Sequence, residues 1–304
     1  YMFTMMNNER LAVGLQGVGI SERAYQHALA YAHQRVQSRK TGGSSPEPVL
    51  IIEHPDVRRM LLDMKSQTEA TRALAYYVAS QLDIAERHSN SETREAAQRR
   101  VDLLTPVVKA WGSDSSIDVA NTGIQIHGGM GFIEETGAAQ FLRDARITAI
   151  YEGTNGIQAN DLVGRKIGRE NGETVKMLIS DMRTDINTNK NNDDHILDRL
   201  KFTINEALDD LDQATDWVIA TWSTDPACTA AIAVPYLRLL ALSCGGWLML
   251  KAYELAWISN ETNFRSAKLS TSQFFINHHV VETKALSKIV TEGAAVVKNA
   301  VFPT

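Results

Sequence analysis

A chain of 304 residues with 44% apolar and 22% charged side chains can bury one large or two medium globular cores. A net charge of −5 supplies no basic field, which argues against nucleic acid as a partner. Cys228 and Cys244 are too few for a disulfide framework or a zinc site, and both sit in apolar helical sequence that suits buried thiols. No basic-then-apolar leader opens the sequence, and the longest apolar stretch, 239–250, is too short to span a bilayer. A cytoplasmic protein without a transmembrane segment is expected. Tyr1 is no initiator, and helical spacing begins by Asn8, so the chain reads as part of a longer protein.

Helix signals dominate, and no convincing strand is seen. Over 9–39, Leu11, Leu15, Val18, Ala24, Ala28 and Tyr31 recur at helical spacing; Gly14, Gly17 and Gly19 weaken the pattern, though close helix packing could use them. A Gly-, Ser- and Pro-rich loop follows at 41–48. Pro55 and Asp56 then open a long helix to about His88, with proline in the first turn and an acid beside the positive helix end. Further helices are predicted over 93–126, ended by Gly128 and Gly129, over 138–150, and over 157–169. Composition changes near Asn171, and 187–194 reads as a solvated loop. Beyond it Leu197, Leu200, Ile204, Leu208 and Leu211 mark an amphipathic helix, 230–258 a buried one, and 274–297 a last one. The expected fold is all-α: a helical bundle over 1–170, then a second helical domain over 171–304.

Three stretches stand out: QIHGGMGF at 125–132, RDAR at 143–146, and IYEGTNGIQ at 150–158. Glu152 is a carboxylate beside an aromatic ring, sheltered by Ile150 and Tyr151, just before a turn that opens a helix. Taken alone, a glutamate in that place reads as an exposed capping residue, though its setting also suits a general base. The glycine run follows no strand, so it is not a dinucleotide fingerprint; it is a helix terminator that exposes backbone N–H groups. Arg10 and Arg35, about 37 Å apart if one helix carries both, are too distant for one headgroup and fit two sites. His278 and His279, and the run Asp193, Asp194 and His195, lack metal-like spacing and read as surface positions.

In this order and spacing the three motifs resemble the C-terminal half of an acyl-CoA dehydrogenase, over residues 7–169. The insertion at 42–48 and the added helical region resemble the long bacterial subgroup similar to 3-methylmercaptopropionyl-CoA dehydrogenase. The resemblance implies FAD-dependent α,β-dehydrogenation of an acyl-CoA thioester, with Glu152 taking the α proton. It also implies electron-transfer flavoprotein as the electron acceptor and a homodimer or homotetramer. It assigns Asn7, Arg10, Tyr151 and Gly153 to the substrate. It assigns Arg35, Gln37, His54, Gln125, Gly128, Gly129, Thr154, Asn155 and Gly156 to FAD, much of it bound by a neighbouring subunit. Glu9, where some relatives carry the base, is expected at the surface, and the RDAR cluster is expected to tie helices together around Asp144. Family members usually place an aromatic residue and a glycine where Ser38 and Arg39 stand, which weakens the flavin contact inferred for that loop. Two alternatives remain: a non-catalytic helical assembly module and a flavin acyl-CoA oxidase. The N-terminal and β domains of the family are missing from these residues, so little activity is expected of the chain alone.

Overall fold

A computed structural model describes residues 2–44, 46–188 and 194–303. Three long helices make the frame: α1 (Met2–Ala32), α2 (Pro55–Arg87) and α3 (Ser91–His127). Pro55 starts α2, Asp56 lies in its first turn and Arg87 in its last, each with the sign the helix dipole favours. Asn90 caps α3 by accepting from the Thr93 amide at 2.9 Å. Gly128 ends α3 at φ +62° and ψ −138°, a conformation open to glycine, while its amide reaches back to the carbonyls of Ile124 and Gln125.

Helices α1 and α3 cross at glycine. A Cβ built on Gly17 would stand 2.3 Å from the Gly112 carbonyl oxygen, and one on Gly112 2.8 Å from that of Gly14. The two backbones therefore touch at Gly14 and Gly17, as the sequence suggested. Gly19, expected to share that packing, faces open space instead.

The chain continues through α4 (Gly129–Phe132), α5 (Ala138–Thr148) and α6 (Asn155–Asp161), then runs without a break into a π-helix at Leu162–Gly168. After it come α7 (Glu173–Thr188), α8 (His195–Thr224), α9 (Pro226–Ala231), α10 (Ala233–Trp257), α11 (Thr262–His278), α12 (Thr283–Glu292) and α13 (Ala294–Lys298). One apolar core draws Leu74, Leu104 and Leu162 from the first half and Leu178, Leu208, Leu240 and Phe275 from the second. Each such leucine contributes about 1.5–3 kcal/mol on burial, so the halves are joined by core packing rather than hinged on a linker. The ring of Trp222, on α8, covers Gly164 and Gly168 so closely that a Cβ built on Gly168 would lie 2.4 Å from it.

Four expectations change. Helix α1 stops at Ala32, where the Gln34 and Arg35 amides both fold back onto the Tyr31 carbonyl at 3.0 and 2.9 Å. Arg10 and Arg35 therefore do not share a helix. A short antiparallel hairpin, β1 (Val36–Arg39) with β2 (Pro48–Leu50), flanks the 41–48 loop; strands of four and three residues are too brief to show a two-residue alternation. The last predicted helix is three, α11 to α13, broken at His279 and Gly293. Most of the solvated loop at 187–194 lies outside the described residues, Asp193 included, but Asn187 and Thr188 finish α7 and Asp194 caps α8.

The apolar stretch at 239–250, too short by itself to span a bilayer, is part of a longer apolar helix. Helix α10 is 25 residues long and holds an 18-residue window with a mean hydropathy of 1.4, enough by length and composition to cross a membrane. Burial of 78% of its apolar window against the other helices accounts for that composition without a bilayer.

Candidate active site

Between α5 and α6 the chain makes a tight reversal. The Ile150 and Tyr151 amides return to the Ile147 carbonyl, and the Asn155 amide closes on the Ala149 carbonyl at 3.2 Å. Inside this turn two successive residues are left-handed, Glu152 at φ +55° and Gly153 at φ +87°. Glycine tolerates that; a glutamate with a Cβ is strained by about 1–3 kcal/mol and persists there only when its surroundings hold it.

They hold it from within. Gln158 Nε2 donates to the carbonyls of Glu152 and Gly153 at 3.3 and 3.2 Å. Lys109 Nζ donates to the Gly153 carbonyl at 2.8 Å and to Asn155 Oδ1 at 2.9 Å. Both Lys109 and Gln158 are 0% exposed. Asn155 in turn donates to Asp114 Oδ1 at 2.7 Å and to the Ala110 carbonyl at 3.2 Å. With these carbonyls turned inward, Glu152 is left half-buried at the rim. Burial holds Lys109 down at about 8, with Arg10 adding to the effect and Asp114 and Glu152 opposing it. Burial also raises Asp114, against a lowering by the Asn155 amide.

Arg10 approaches the turn from α1. The residue is 7% exposed, with Nη1 3.5 Å from Asp161 Oδ2 and 3.4 Å from Asn7 Oδ1. Nη2 lies 3.9 Å from where a Cβ on Gly153 would sit, so the missing side chain leaves the cation room beside Glu152. Its Nε is buried without a hydrogen-bond partner among the described residues. Asp161 stands at the junction of α6 and the π-helix and also meets Arg165 Nε at 3.0 Å. Interruptions of this kind concentrate at functional sites. On one side of the turn Tyr151 O–H donates to Gln16 Oε1 over a hollow of about 480 Å³ lined by Gly19, Ile20, Ile147 and Thr148. Asn7, Leu11, Leu82, Val101 and Thr105 line another hollow of about 400 Å³.

Asn7, Arg10, Tyr151, Glu152, Gly153, Thr154, Asn155 and Gly156 are thus brought together. Thr154 and Gly156 are exposed, while the Asn155 amide is engaged inside. Glu9 is exposed on α1. The other singled-out residues gather elsewhere. Exposed Arg35 roots the hairpin through its carbonyl, which accepts from the Ile51 amide at 2.8 Å, and His54 Nε2 contacts the Gln37 carbonyl at 2.7 Å. Gln125, Gly128 and Gly129 are exposed at the end of α3, and nothing lies within 4 Å of a Cβ built on either glycine. Tyr31 stacks on His127 at 4.4 Å, which puts hairpin and glycine run at the same end of the bundle. Along α1, Tyr31 is about 30 Å from Arg10, so two separate regions result despite the broken helix.

Three details depart from expectation. Arg143 reaches Glu134 at 3.1 Å while Asp144 accepts from Gln140 one turn back, so Asp144 is not the centre of an arginine cluster. His279 is half-buried against Asp63 at 2.8 Å rather than at the surface. Lys109 escaped the sequence reading altogether. Its signal was available: a lone cation in the apolar run of Val107, Val108, Ala110 and Trp111, all buried.

Comparison with known proteins matches residues 1–167 to the acyl-CoA dehydrogenase C-terminal domain and residues 178–300 to the acetyl-CoA dehydrogenase C-terminal-like domain. The 3-methylmercaptopropionyl-CoA dehydrogenase of Ruegeria pomeroyi is 45% identical over 96% of this chain and 50% of its own length. A butyryl-CoA dehydrogenase of Syntrophomonas wolfei is 34% identical over 92% and 47%. The chain spans about half the length of the curated relatives it matches. An acyl-CoA dehydrogenase from Bacillus anthracis, solved with FAD, shares the fold at TM-score 0.76 and 20% identity, over 100% of this chain and 53% of its own. Caenorhabditis elegans ACDH-11, solved with C11-CoA, does so at TM-score 0.75 and 20% identity, over 95% and 47%. With that C-terminal domain matched over more than half of its residues, the chain belongs to the acyl-CoA dehydrogenase family.

Proposed function

We propose that this chain is the base-bearing helical half of an FAD-dependent acyl-CoA dehydrogenase. The observation that carries the reading is the strained left-handed turn at Glu152 and Gly153, with the guanidinium of buried Arg10 3.9 Å from where a Gly153 Cβ would stand. Glu152 would take the α proton of the thioester as the Cα–H electron pair moves into the new double bond. The β hydrogen leaves with its electron pair, and FAD, when bound, supplies the acceptor for that hydride. Arg10 would hold an anionic or carbonyl group of the substrate near the base, with Asn7, Tyr151 and the Gly153 backbone lining its path.

The residues at the hairpin end fit the dinucleotide. Gly128 and Gly129 leave open space where side chains would stand, so a pyrophosphate can approach the backbone closely. Arg35 is exposed and cationic, and a hollow of about 490 Å³ beside the run is lined by Ile124, Phe132, Ala139, Leu142, Arg143 and Arg146. These groups lie on an outer surface, which supports binding of FAD between subunits of a homodimer or homotetramer. Phe132, 83% exposed there, favours such an assembly. An electron-transfer flavoprotein would then reoxidise the flavin. The division near residue 170 goes with this reading: 1–170 would carry the site, and 171–304 would brace α6 and the π-helix through Trp222 and α10.

The test is anaerobic mixing of the full-length flavoprotein with a panel of acyl-CoA thioesters, watching flavin absorbance. Bleaching by at least one thioester is expected, slowed by about 10²–10⁴-fold in Glu152→Gln. An intact Glu152→Gln rate would end the proposal. Rapid peroxide formation in air would instead favour an oxidase.

A further inference from the structure

The geometry points to Lys109 as the positioning residue of the catalytic carboxylate: its buried ammonium clamps the left-handed turn that aims Glu152. This rests on the reading of Glu152 as the base. Lysines are rarely fully buried, and an ammonium withdrawn from water costs several kcal/mol unless it is well partnered. Here the chain accepts that cost in the middle of α3, and the listening partners, the Gly153 carbonyl at 2.8 Å and Asn155 Oδ1 at 2.9 Å, both belong to the turn. Arg10 faces the same region from α1, Asp114 from the next turn of α3 through Asn155, and Glu152 from the turn itself. The ammonium is therefore a buried cation balanced by two carboxylates and opposed by one guanidinium.

The turn needs such a clamp. Glu152 is held left-handed against a penalty of about 1–3 kcal/mol, and the orientation of the peptide planes on either side of its Cα decides where its Cβ points. Lys109 fixes the Gly153 carbonyl, and Gln158 fixes both that carbonyl and the one before it. Of the two, only Lys109 ties the turn to a different long helix; Gln158 belongs to α6, which the turn itself opens. A shift of about 1 Å in a reacting group can cost on the order of 100-fold in rate, so a clamp of this kind is read out in chemistry. Lys109 is no nucleophile: it is 0% exposed and its nitrogen is committed to the turn.

Lys109→Met keeps the apolar stem, stopping one atom short, and removes both charge and donors. In the chain alone, hydrogen exchange of amides 151–156 should quicken about tenfold or more, while amides of α2 stay within about twofold. In the full-length flavoprotein, the single-turnover bleaching rate per bound flavin should fall about 10–100-fold, with acyl-CoA affinity within about threefold. A lysine that only supports the fold would lower flavin content or melting temperature and leave that rate unchanged; this result overturns the proposal, as does unchanged exchange in the turn. Lys109→Gln, neutral with an amide one atom short, gives the same comparison if the Met variant does not fold. Should wild-type protein fail to bleach with every thioester, the reading of Glu152 as base falls. The exchange measurement still decides whether Lys109 clamps the turn.

Discussion

The two ends of α1 are built in opposite ways. Around Arg10 and Glu152 polar groups are sunk inside: Lys109, Gln158 and Asn155 turn their donors and acceptors on one another and on the turn, and the backbone is strained. Around Arg35 and Gly128 the same kinds of groups are exposed, with open space where side chains could stand. Strain needs a rigid frame, and the chain supplies its own at the first end. At the second it presents an open surface, which FAD held between subunits would complete under the proposed function. A base that must meet one C–H bond calls for the first design, and a large dinucleotide shared between subunits suits the second.

Substitutions separate the two designs, beginning with the largest effect. Glu152→Gln should reduce the single-turnover rate of the full-length enzyme by about 10²–10⁴-fold, the usual contribution of a positioned base, while the helical content of this chain is unchanged. Glu9→Gln, on the exposed face of α1, should leave the rate within about twofold. Equal losses in both would mean that the base is not confined to the turn.

Gly153→Ala comes next. The new Cβ would sit at φ +87° and 2.9 Å from Gln158 Nε2, so the turn must shift or push that amide away. A stability loss of about 1–3 kcal/mol is expected from denaturant titration of this chain, together with a rate loss of about 10–100-fold in the whole enzyme. A stable variant with full rate would show that the left-handed geometry serves neither purpose.

Gly128→Ala tests the open end. Here the penalty is conformational only, since nothing lies within 4 Å of the added methyl. About 1–2 kcal/mol of stability should be lost, measured by thermal unfolding. FAD affinity should weaken in the full-length protein, while the rate per bound flavin holds. If that rate collapsed, the two ends would be coupled in a way that their separation of about 30 Å does not suggest.

The sequence shows the motif end of this comparison more clearly than the frame. Glycines at 14, 17 and 128 announce close packing and a helix stop because few other residues serve there, and α2 announces itself through Pro55 and Asp56. The hairpin stays hidden because each strand is shorter than the pattern that would reveal it. The left-handed Glu152 is hidden for another reason: glutamate carries no mark of positive φ, and the groups that enforce it, Lys109 and Gln158, come from 43 residues earlier and six residues later in the sequence. The π-helix is likewise set by contact, through a tryptophan on α8 that meets two glycines far away in sequence.

The smallest expected effect concerns the stack around Tyr31 at the open end. His27 lies 4.6 Å from His127, which itself stacks on Tyr31, and His127 Nδ1 contacts the Gly123 carbonyl at 2.7 Å. Burial lowers the His27 pKa, with His127 and Arg23 pushing in the same direction. The folded state therefore binds that proton less readily than the unfolded chain does. Between the folded value and an unfolded value of about 6.5 the unfolded state holds more protons, so stability rises with pH across that window and is lost as pH falls below about 6.5. His27→Gln should flatten that slope in thermal unfolding of this chain between pH 5.5 and 7.5, and should do so by well under about 1 kcal/mol because the ring is only partly buried. An unchanged slope would assign the acid sensitivity to other groups and leave the histidine stack a packing contact alone.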